Sequence, residues 1–314
     1  PNEQFNMFHY MYYYNGAGVA TGDFNNDGQA DIFFASNEGD NQLYLNKGKL
    51  QFTEVSKQAQ IPQDSAWNTG VSVVDINNDG LLDVAVIGQN DDIGNVTKIY
   101  ENKNGVFQDL NLANRSFRYG DVKWVDLNND GWLDLSIIGQ SGTAVVYQQL
   151  INNKGVFEIS TPSSVAGLKY ANMAFGDYNN NGTLDMFTAG QDVNGNPHSY
   201  LYQNDGKGNF KLDPEFNAYN VVPDMFNADA RFLDYDLDGD LDLIYVGNSN
   251  GGYPQGGIRV NTLLDPKITT NNYGQGNNYS NGYTYNMNLQ MKDAKLDVAD
   301  LDGDGDTDIV AMGT

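Results

Sequence analysis

A nine-residue acidic string recurs six times along the chain and constrains its fold more than any other feature. It reads DFNNDGQAD from Asp23, DINNDGLLD from Asp75, DLNNDGWLD from Asp126, DYNNNGTLD from Asp177, DYDLDGDLD from Asp234 and DLDGDGDTD from Asp300. Successive starts lie 52, 51, 51, 57 and 66 residues apart. A period of this size dictates architecture, because each repeat is one supersecondary unit that buries its apolar surface by stacking on its neighbours.

The residues around each string follow one grammar. A short strand-like run precedes it, as at 71–74 and 231–233, and an almost continuous apolar run follows it, at 32–35, 84–87, 135–138, 186–189, 243–246 and 309–312. Five of the six runs stop at Gly (Gly88, Gly139, Gly190, Gly247, Gly313), which reads as strands buried on both faces. A hairpin then follows in most units: 43–46, Lys47-Gly48 and 50–53 form the first, and 99–107, 149–157 and 201–210 are its counterparts. No segment holds a 3.6-residue apolar period over three turns.

The expected fold is therefore all-β: a single β-propeller domain over 1–314, with about six four-stranded blades (seven being the alternative) starting near residues 17, 69, 120, 171, 228 and 294. A β-sandwich or jelly roll would not repeat one unit six times at near-constant spacing. The sixth unit has room for only two strands before Thr314, and residues 1–14, with a strand from Gln4 to Phe8, are expected to add a third; with one strand still missing, either blade six is three-stranded or the chain is a piece of a longer protein. Residues 248–291, rich in Asn, Gly and Tyr, read as an insertion between blades.

Within each string, oxygen-bearing side chains stand at positions one, three, five and nine. These are Asp23, Asn25, Asp27 and Asp31; Asp75, Asn77, Asp79 and Asp83; Asp126, Asn128, Asp130 and Asp134; Asp177, Asn179, Asn181 and Asp185; Asp234, Asp236, Asp238 and Asp242; and Asp300, Asp302, Asp304 and Asp308. Alternate spacing lets a tight loop turn them inward, Gly at position six permits the sharp bend, and position seven can offer its carbonyl. Hard oxygen donors in this number suit Ca²⁺, which takes six to eight at irregular geometry, better than Mg²⁺. Up to six Ca²⁺ are expected. An EF-hand is excluded, because position twelve of the first loop is Phe34 where a bidentate Glu is required and the flanks are strands. Turn formation alone is the plainer reading of Asp and Asn, but a turn does not need four converging oxygen donors. Charge count ranks loops five and six, with four acids at the ligand positions, above the first three, and places loop four, with two, last.

Composition agrees. The net charge is -24, and 35 of the 41 acidic residues are Asp, 21 of them inside the six strings. Such a chain repels nucleic acid and anionic lipid. No run of eighteen apolar residues occurs, so neither a membrane span nor a secretory leader is expected in the sequence. Without Cys there are no disulfides, thiol catalysis or thiolate metal sites, and His9 and His198, the two imidazoles, read as structural or exposed.

The loops and their flanking strands resemble the FG-GAP or VCBS-type repeats of integrin α-subunit-like β-propellers, found also in many bacterial surface and secreted proteins. The resemblance runs from about residue 17 to 313, although of the name-giving pattern only Phe175-Gly176 survives and no Gly-Ala-Pro occurs. It implies that each loop joins the first two strands of a blade and holds Ca²⁺.

No catalytic constellation is legible. The six Glu residues are scattered and unpaired by motif. Tyrosines cluster at Tyr10, Tyr12, Tyr13 and Tyr14, and at Tyr253, Tyr273, Tyr279, Tyr283 and Tyr285, where aromatic faces among amides suit sugar rings or protein hot spots as well as packing between blades. The sequons at Asn95, Asn114, Asn181 and Asn278 carry little in a chain this rich in Asn. The expected function is a secreted or cell-surface, calcium-stabilised binding or adhesion propeller that recognises a protein or carbohydrate through face loops. The alternatives are a polysaccharide-active lyase or hydrolase, or its accessory module, and an architectural module of a larger surface protein. No nucleic-acid partner and no direct membrane insertion are expected.

Overall fold

The computed structural model describes residues 18–36, 39–61, 67–90, 94–112, 117–213, 216, 222–261, 282–286, 294–304 and 307–313. They fall into two compact units, Pro1–Arg118 and Tyr119–Thr314. The first holds two sheets: β1 (Gly18–Gly22), β2 (Asp31–Ala35), β3 (Gln42–Asn46) and β4 (Phe52–Glu54), then β5 (Trp67–Val74), β6 (Asp83–Asn90), β7 (Gly94–Asn102) and β8 (Phe107–Asp109). Each is an antiparallel meander in chain order. Phe24, Phe33, Leu43, Val84, Val86, Tyr100 and Phe107 form one buried cluster between the two sheets.

The second unit repeats the plan with β9 (Arg118–Val125) to β12 (Val156–Ser160), β13 (Lys169–Gly176) to β16 (Phe210–Leu212), and β17 (Phe226–Leu233) to β20 (Gly282–Asn286). Between these ends lie β10 (Asp134–Ser141), β11 (Ala144–Asn153), β14 (Asp185–Gln191), β15 (Pro197–Asn204), β18 (Asp242–Asn248) and β19 (Pro254–Asn261). A two-stranded sheet, β21 (Lys295–Ala299) with β22 (Asp308–Met312), closes the series. Separate apolar clusters join successive sheets, centred on Leu127, Met173 and Met186, on Phe187, Met225 and Leu243, and on Ile244, Val260 and Leu296. First strands pack on first strands, as β13 does on β17 and β17 on β21. The chain is thus all-β, built of four-stranded antiparallel sheets with the form of propeller blades. Among the described residues, no helix is long and apolar enough to cross a membrane.

The second strands of the later sheets are buried on both faces: β18 throughout, and β10 and β14 over their first six residues. The hairpins at 99–107, 149–157 and 201–210 form as expected. At two tips Asn104-Gly105 and Lys154-Gly155 both take positive φ, the geometry that matches hairpin twist.

Two expectations change. Four of the five glycines do not end the second strands: β6, β10, β14 and β18 run through Gly88, Gly139, Gly190 and Gly247, whereas β22 stops before Gly313. They sit where the sheet is crowded, since a Cβ on Gly190 would lie 2.9 Å from Ala171 Cβ and one on Gly247 3.0 Å from Ala228 Cβ. The facing first strands bulge at these points, between Lys169 and Asn172 and between Phe226 and Asp229. The interval 248–291 is not wholly an insertion, because it supplies β19 and β20. The strand expected at Gln4 to Phe8, with His9 and the tyrosines from Tyr10 to Tyr14, lies outside the described residues, as do Tyr273, Tyr279, Asn114 and Asn278.

Candidate metal centre

Each acidic string is the connection from first to second strand of its sheet, and its geometry repeats. Position four takes a left-handed conformation, at Asn26, Asn78, Asn129, Asn180 and Leu237 with φ of 52 to 58°. Glycine at position six follows with φ of 82 to 95°, at Gly28, Gly80, Gly131, Gly182 and Gly239. Loop six instead places Gly303 at position four, with φ 79°.

Side chains fold back over this bend. The position-one carboxylate accepts two backbone N–H groups: in loop one Asp27 N and Gly28 N donate to Asp23 at 3.0 and 2.7 Å, and Asp75, Asp126, Asp177 and Asp234 do the same in their loops. Position five accepts from position seven, as Gln29 N donates to Asp27 at 2.9 Å. These bonds turn the position-one and position-five side chains onto the backbone N–H groups of their own loop.

Position nine differs, because it is buried. Asp31, Asp83, Asp134, Asp185 and Asp242 are all at most 1% exposed. One oxygen of Asp83 accepts Ile76 N at 2.8 Å, closing its own loop, and the other accepts Asn102 N at 2.6 Å from the third strand. Asp31, Asp134 and Asp242 make the same pair of bonds. Burial pushes the carboxyls of Asp83, Asp134 and Asp185 up to about 6 and that of Asp242 up to about 7, against the lowering effect of these N–H donors. Asp31 is raised for the same reason. An ionised carboxylate at position nine is therefore costly unless positive charge lies nearby.

The loops differ at position three. In the first three an Asn amide donates to the position-five carboxylate, as Asn25 does to Asp27 at 3.1 Å, Asn77 to Asp79 at 3.1 Å and Asn128 to Asp130 at 3.0 Å. Loops five and six have an acid there, which cannot donate. Asp234, Asp236 and Asp242 bring carboxylate oxygens within 4.8 Å of one another, and so do Asp300, Asp302 and Asp304. Like charges at that distance repel by between about 1 kcal/mol in water and about 3.5 kcal/mol at an effective dielectric of 20. Asp238 Oδ2 in loop five is buried with no hydrogen-bond partner. An all-oxygen, multiply anionic donor set with an unsatisfied buried oxygen fits a hard divalent cation. Loop four carries fewer acids: Asn181 replaces the fifth-position acid, and its carbonyl accepts from both Thr183 N at 2.8 Å and Thr183 Oγ1 at 2.5 Å, although Asp185 Oδ2, like Asp238 Oδ2, is buried with no hydrogen-bond partner.

Residues 23–86, 126–188 and 177–245 match the FG-GAP-like repeat family, together more than half of the chain. The chain belongs to the FG-GAP-like repeat family. Among relatives of this FG-GAP-like repeat protein, cartilage acidic protein 1 of Mus musculus is 31% identical over 291 residues, 81% of this chain and 44% of the relative. Its Xenopus tropicalis namesake is 26% identical over 268 residues, 74% of this chain and 40% of the relative. The chain spans less than half the length of these curated relatives. A crystal structure of an AofleA mutant from Arthrobotrys oligospora is similar with a TM-score of 0.45 at 10% identity, covering 95% of this chain and 76% of that one. A likeness that distant carries no argument about fold or function.

Sequence reasoning overlooked an asparagine at the end of each third strand. Asn102, Asn204 and Asn261 donate their backbone N–H to the buried ninth Asp. Their side-chain amides span sheets: Asn102 Nδ2 donates to Phe24 O at 2.8 Å and Leu82 O at 3.1 Å, Asn204 Nδ2 to Leu127 O and Leu184 O, and Asn261 Nδ2 to Tyr178 O and Leu241 O. Each amide thus ties position two of the preceding loop to position eight of its own. The signal was present, since Asn46, Asn102, Asn152, Asn204 and Asn261 follow the ninth Asp by 15 to 19 residues. Position four adds a second tie, with Asn26 Nδ2 donating to Gly80 O at 3.0 Å and Asn129 Nδ2 to Gly182 O at 2.7 Å.

The remaining singled-out groups lie elsewhere. His198 stacks on Tyr200 with centroids 5.4 Å apart, and its Nε2 is 3.6 Å from Asp192. Tyr253 is 70% exposed at the turn between β18 and β19.

Proposed function

We propose that the six acidic loops bind Ca²⁺ and that the chain is a calcium-stabilised β-propeller acting as an extracellular binding or adhesion module. The observation that carries the reading is the carboxylate convergence in loops five and six, where three anionic side chains approach within 4.8 Å. In loops one to five, positions one, three, five and nine would hold the ion, from Asp23, Asn25, Asp27 and Asp31 through to Asp234, Asp236, Asp238 and Asp242. In loop six the set is Asp300, Asp302, Asp304 and Asp308. Bound Ca²⁺ supplies positive charge that offsets carboxylate repulsion and fixes each turn; it takes no part in a reaction. Six ions would add +12 to the formal charge of -24.

Weak calcium loops are filled at millimolar extracellular calcium and empty at cytosolic levels, and the relatives are named for cartilage and for acidity. Both support a secreted or cell-surface location. Closed propeller geometry with six blades would place the strand connections on two faces, where a protein or glycan ligand would dock. Thermal melting in calcium and in EDTA tests the metal reading, and an unchanged melt refutes it. Binding of the calcium-loaded chain to arrays of glycans and matrix proteins tests the adhesion reading, and silence on both refutes that.

A further inference from the structure

We infer that Tyr119 and Tyr170 form a stacking platform for the apolar face of a neutral pyranose sugar. The inference rests on the binding reading above and gives it a location and a ligand class.

Tyr119 has φ 53° and Tyr170 φ 50°, in the left-handed region that bulky residues enter only under strain. Both stand seven residues before the first Asp of their loop. In the next repeat that position is Asn227, with φ 45°. The other three repeats carry Gly16, Asn68 and Asp293 there. Four of six copies therefore use a residue type that adopts left-handed geometry cheaply, and the two that do not are adjacent tyrosines. Folding alone would favour Asn at both.

The strain places the two rings together. They stack across neighbouring sheets, β9 to β13, with centroids 4.7 Å apart and planes at 29°. Tyr119 is 51% and Tyr170 38% exposed, so the pair offers ring surface to solvent where core tyrosines such as Tyr100 and Tyr202 do not. The backbone beneath is held closely, since a Cβ on the adjoining Gly120 would lie 1.8 Å from Ile138 O. This end of the sheets is opposite the acidic loops, which connect the far ends of the same strands.

Charge selects the ligand. Lys169 precedes Tyr170, and Asp121, two residues beyond Tyr119, is already paired with Lys123 at 3.2 Å, which disfavours a cation on the rings. The net charge of -24 disfavours a polyanion. A neutral sugar remains, whose C–H face complements the negative face of an aromatic ring.

The test uses the full chain in calcium, arrays of neutral gluco-, galacto- and mannopyranosyl oligosaccharides, of charged glycans and of matrix proteins, and the variants Tyr119→Asn, Tyr170→Asn and their double. Wild type is expected to bind, and each single change to weaken binding by roughly tenfold. Because Asn relieves the strain, the melting temperature is expected to hold or to rise by roughly 2–4 °C. Retained binding in the double variant overturns the platform while leaving the adhesion reading intact. A drop in melting temperature assigns the rings to folding and also overturns it. Wild type that binds only proteins or charged glycans overturns the sugar assignment, and wild type that binds nothing overturns both readings.

Discussion

Replacing Asn102 by Ala removes a tie between two sheets, and its cost can be worked from the bonds it makes. Asn102 is fully buried. Its amide donates to Phe24 O and Leu82 O at 2.8 and 3.1 Å, and its carbonyl accepts Gly105 N at 2.8 Å. Three bonds at about 1 kcal/mol each give about 3 kcal/mol, rising towards 5 where the carbonyls left behind stay dry. Asn46→Ala is the internal comparison. Asn46 donates to Ala30 O at 3.2 Å and accepts Gly48 N at 2.9 Å, two bonds within its own sheet's connections. The difference between the variants thus isolates the bond to Phe24 O, worth about 1–3 kcal/mol. Urea unfolding followed by circular dichroism, at fixed millimolar calcium, measures both. Asn102→Ala should unfold at clearly lower urea with an unchanged slope. Equal destabilisation of the two within about 0.5 kcal/mol would refute the inter-sheet role.

Chelation should lower the melting temperature, since each site holding calcium a hundredfold above its dissociation constant contributes about 2.7 kcal/mol; differential scanning calorimetry with and without EDTA reads this directly. Terbium luminescence or titration calorimetry should rank loop five above loop four, so Asp236→Asn should lower cation binding in loop five and Asn179→Asp should raise it in loop four; the reverse order would discard charge count as the guide. Gly176→Ala should cost about 1–3 kcal/mol in urea unfolding, because its Cβ would lie 2.7 Å from the Phe232 ring. Leu237→Asn should stabilise by about 1 kcal/mol, since Leu237 holds φ 58° while 63% exposed and Asn fills that position in four other loops; a lower urea midpoint would show that its side chain packs usefully.

Much of the fold was legible because its signals are local. The nine-residue string contains its own turn chemistry, with Asp at position one four and five residues along the chain from the N–H groups it accepts, and the apolar runs of β10, β14 and β18 declare burial by composition alone. The convergence of Asp300, Asp302 and Asp304 followed from alternate spacing, whereas in loop five it is Asp242, from position nine, that joins Asp234 and Asp236. Other features could be seen but not interpreted. Gly190 and Gly247 looked like strand ends because a sequence shows the missing side chain and not the bulged strand that needs the space. Residues 248–291 looked like an insertion because Asn, Gly and Tyr hide strand character that pairing with β18 reveals.

What the sequence by itself determined is the repeat unit: its strands, its acidic turn and the hard-oxygen chemistry of that turn, all set by contacts within a few residues. The tertiary structure alone decided how the units are joined. Asn102 reaches Phe24 across 78 residues and Asn204 reaches Leu127 across 77, and Tyr119 meets Tyr170 only because neighbouring sheets bring equivalent positions of β9 and β13 together. Such bonds have no local pattern to betray them, since their geometry exists only once the sheets have packed.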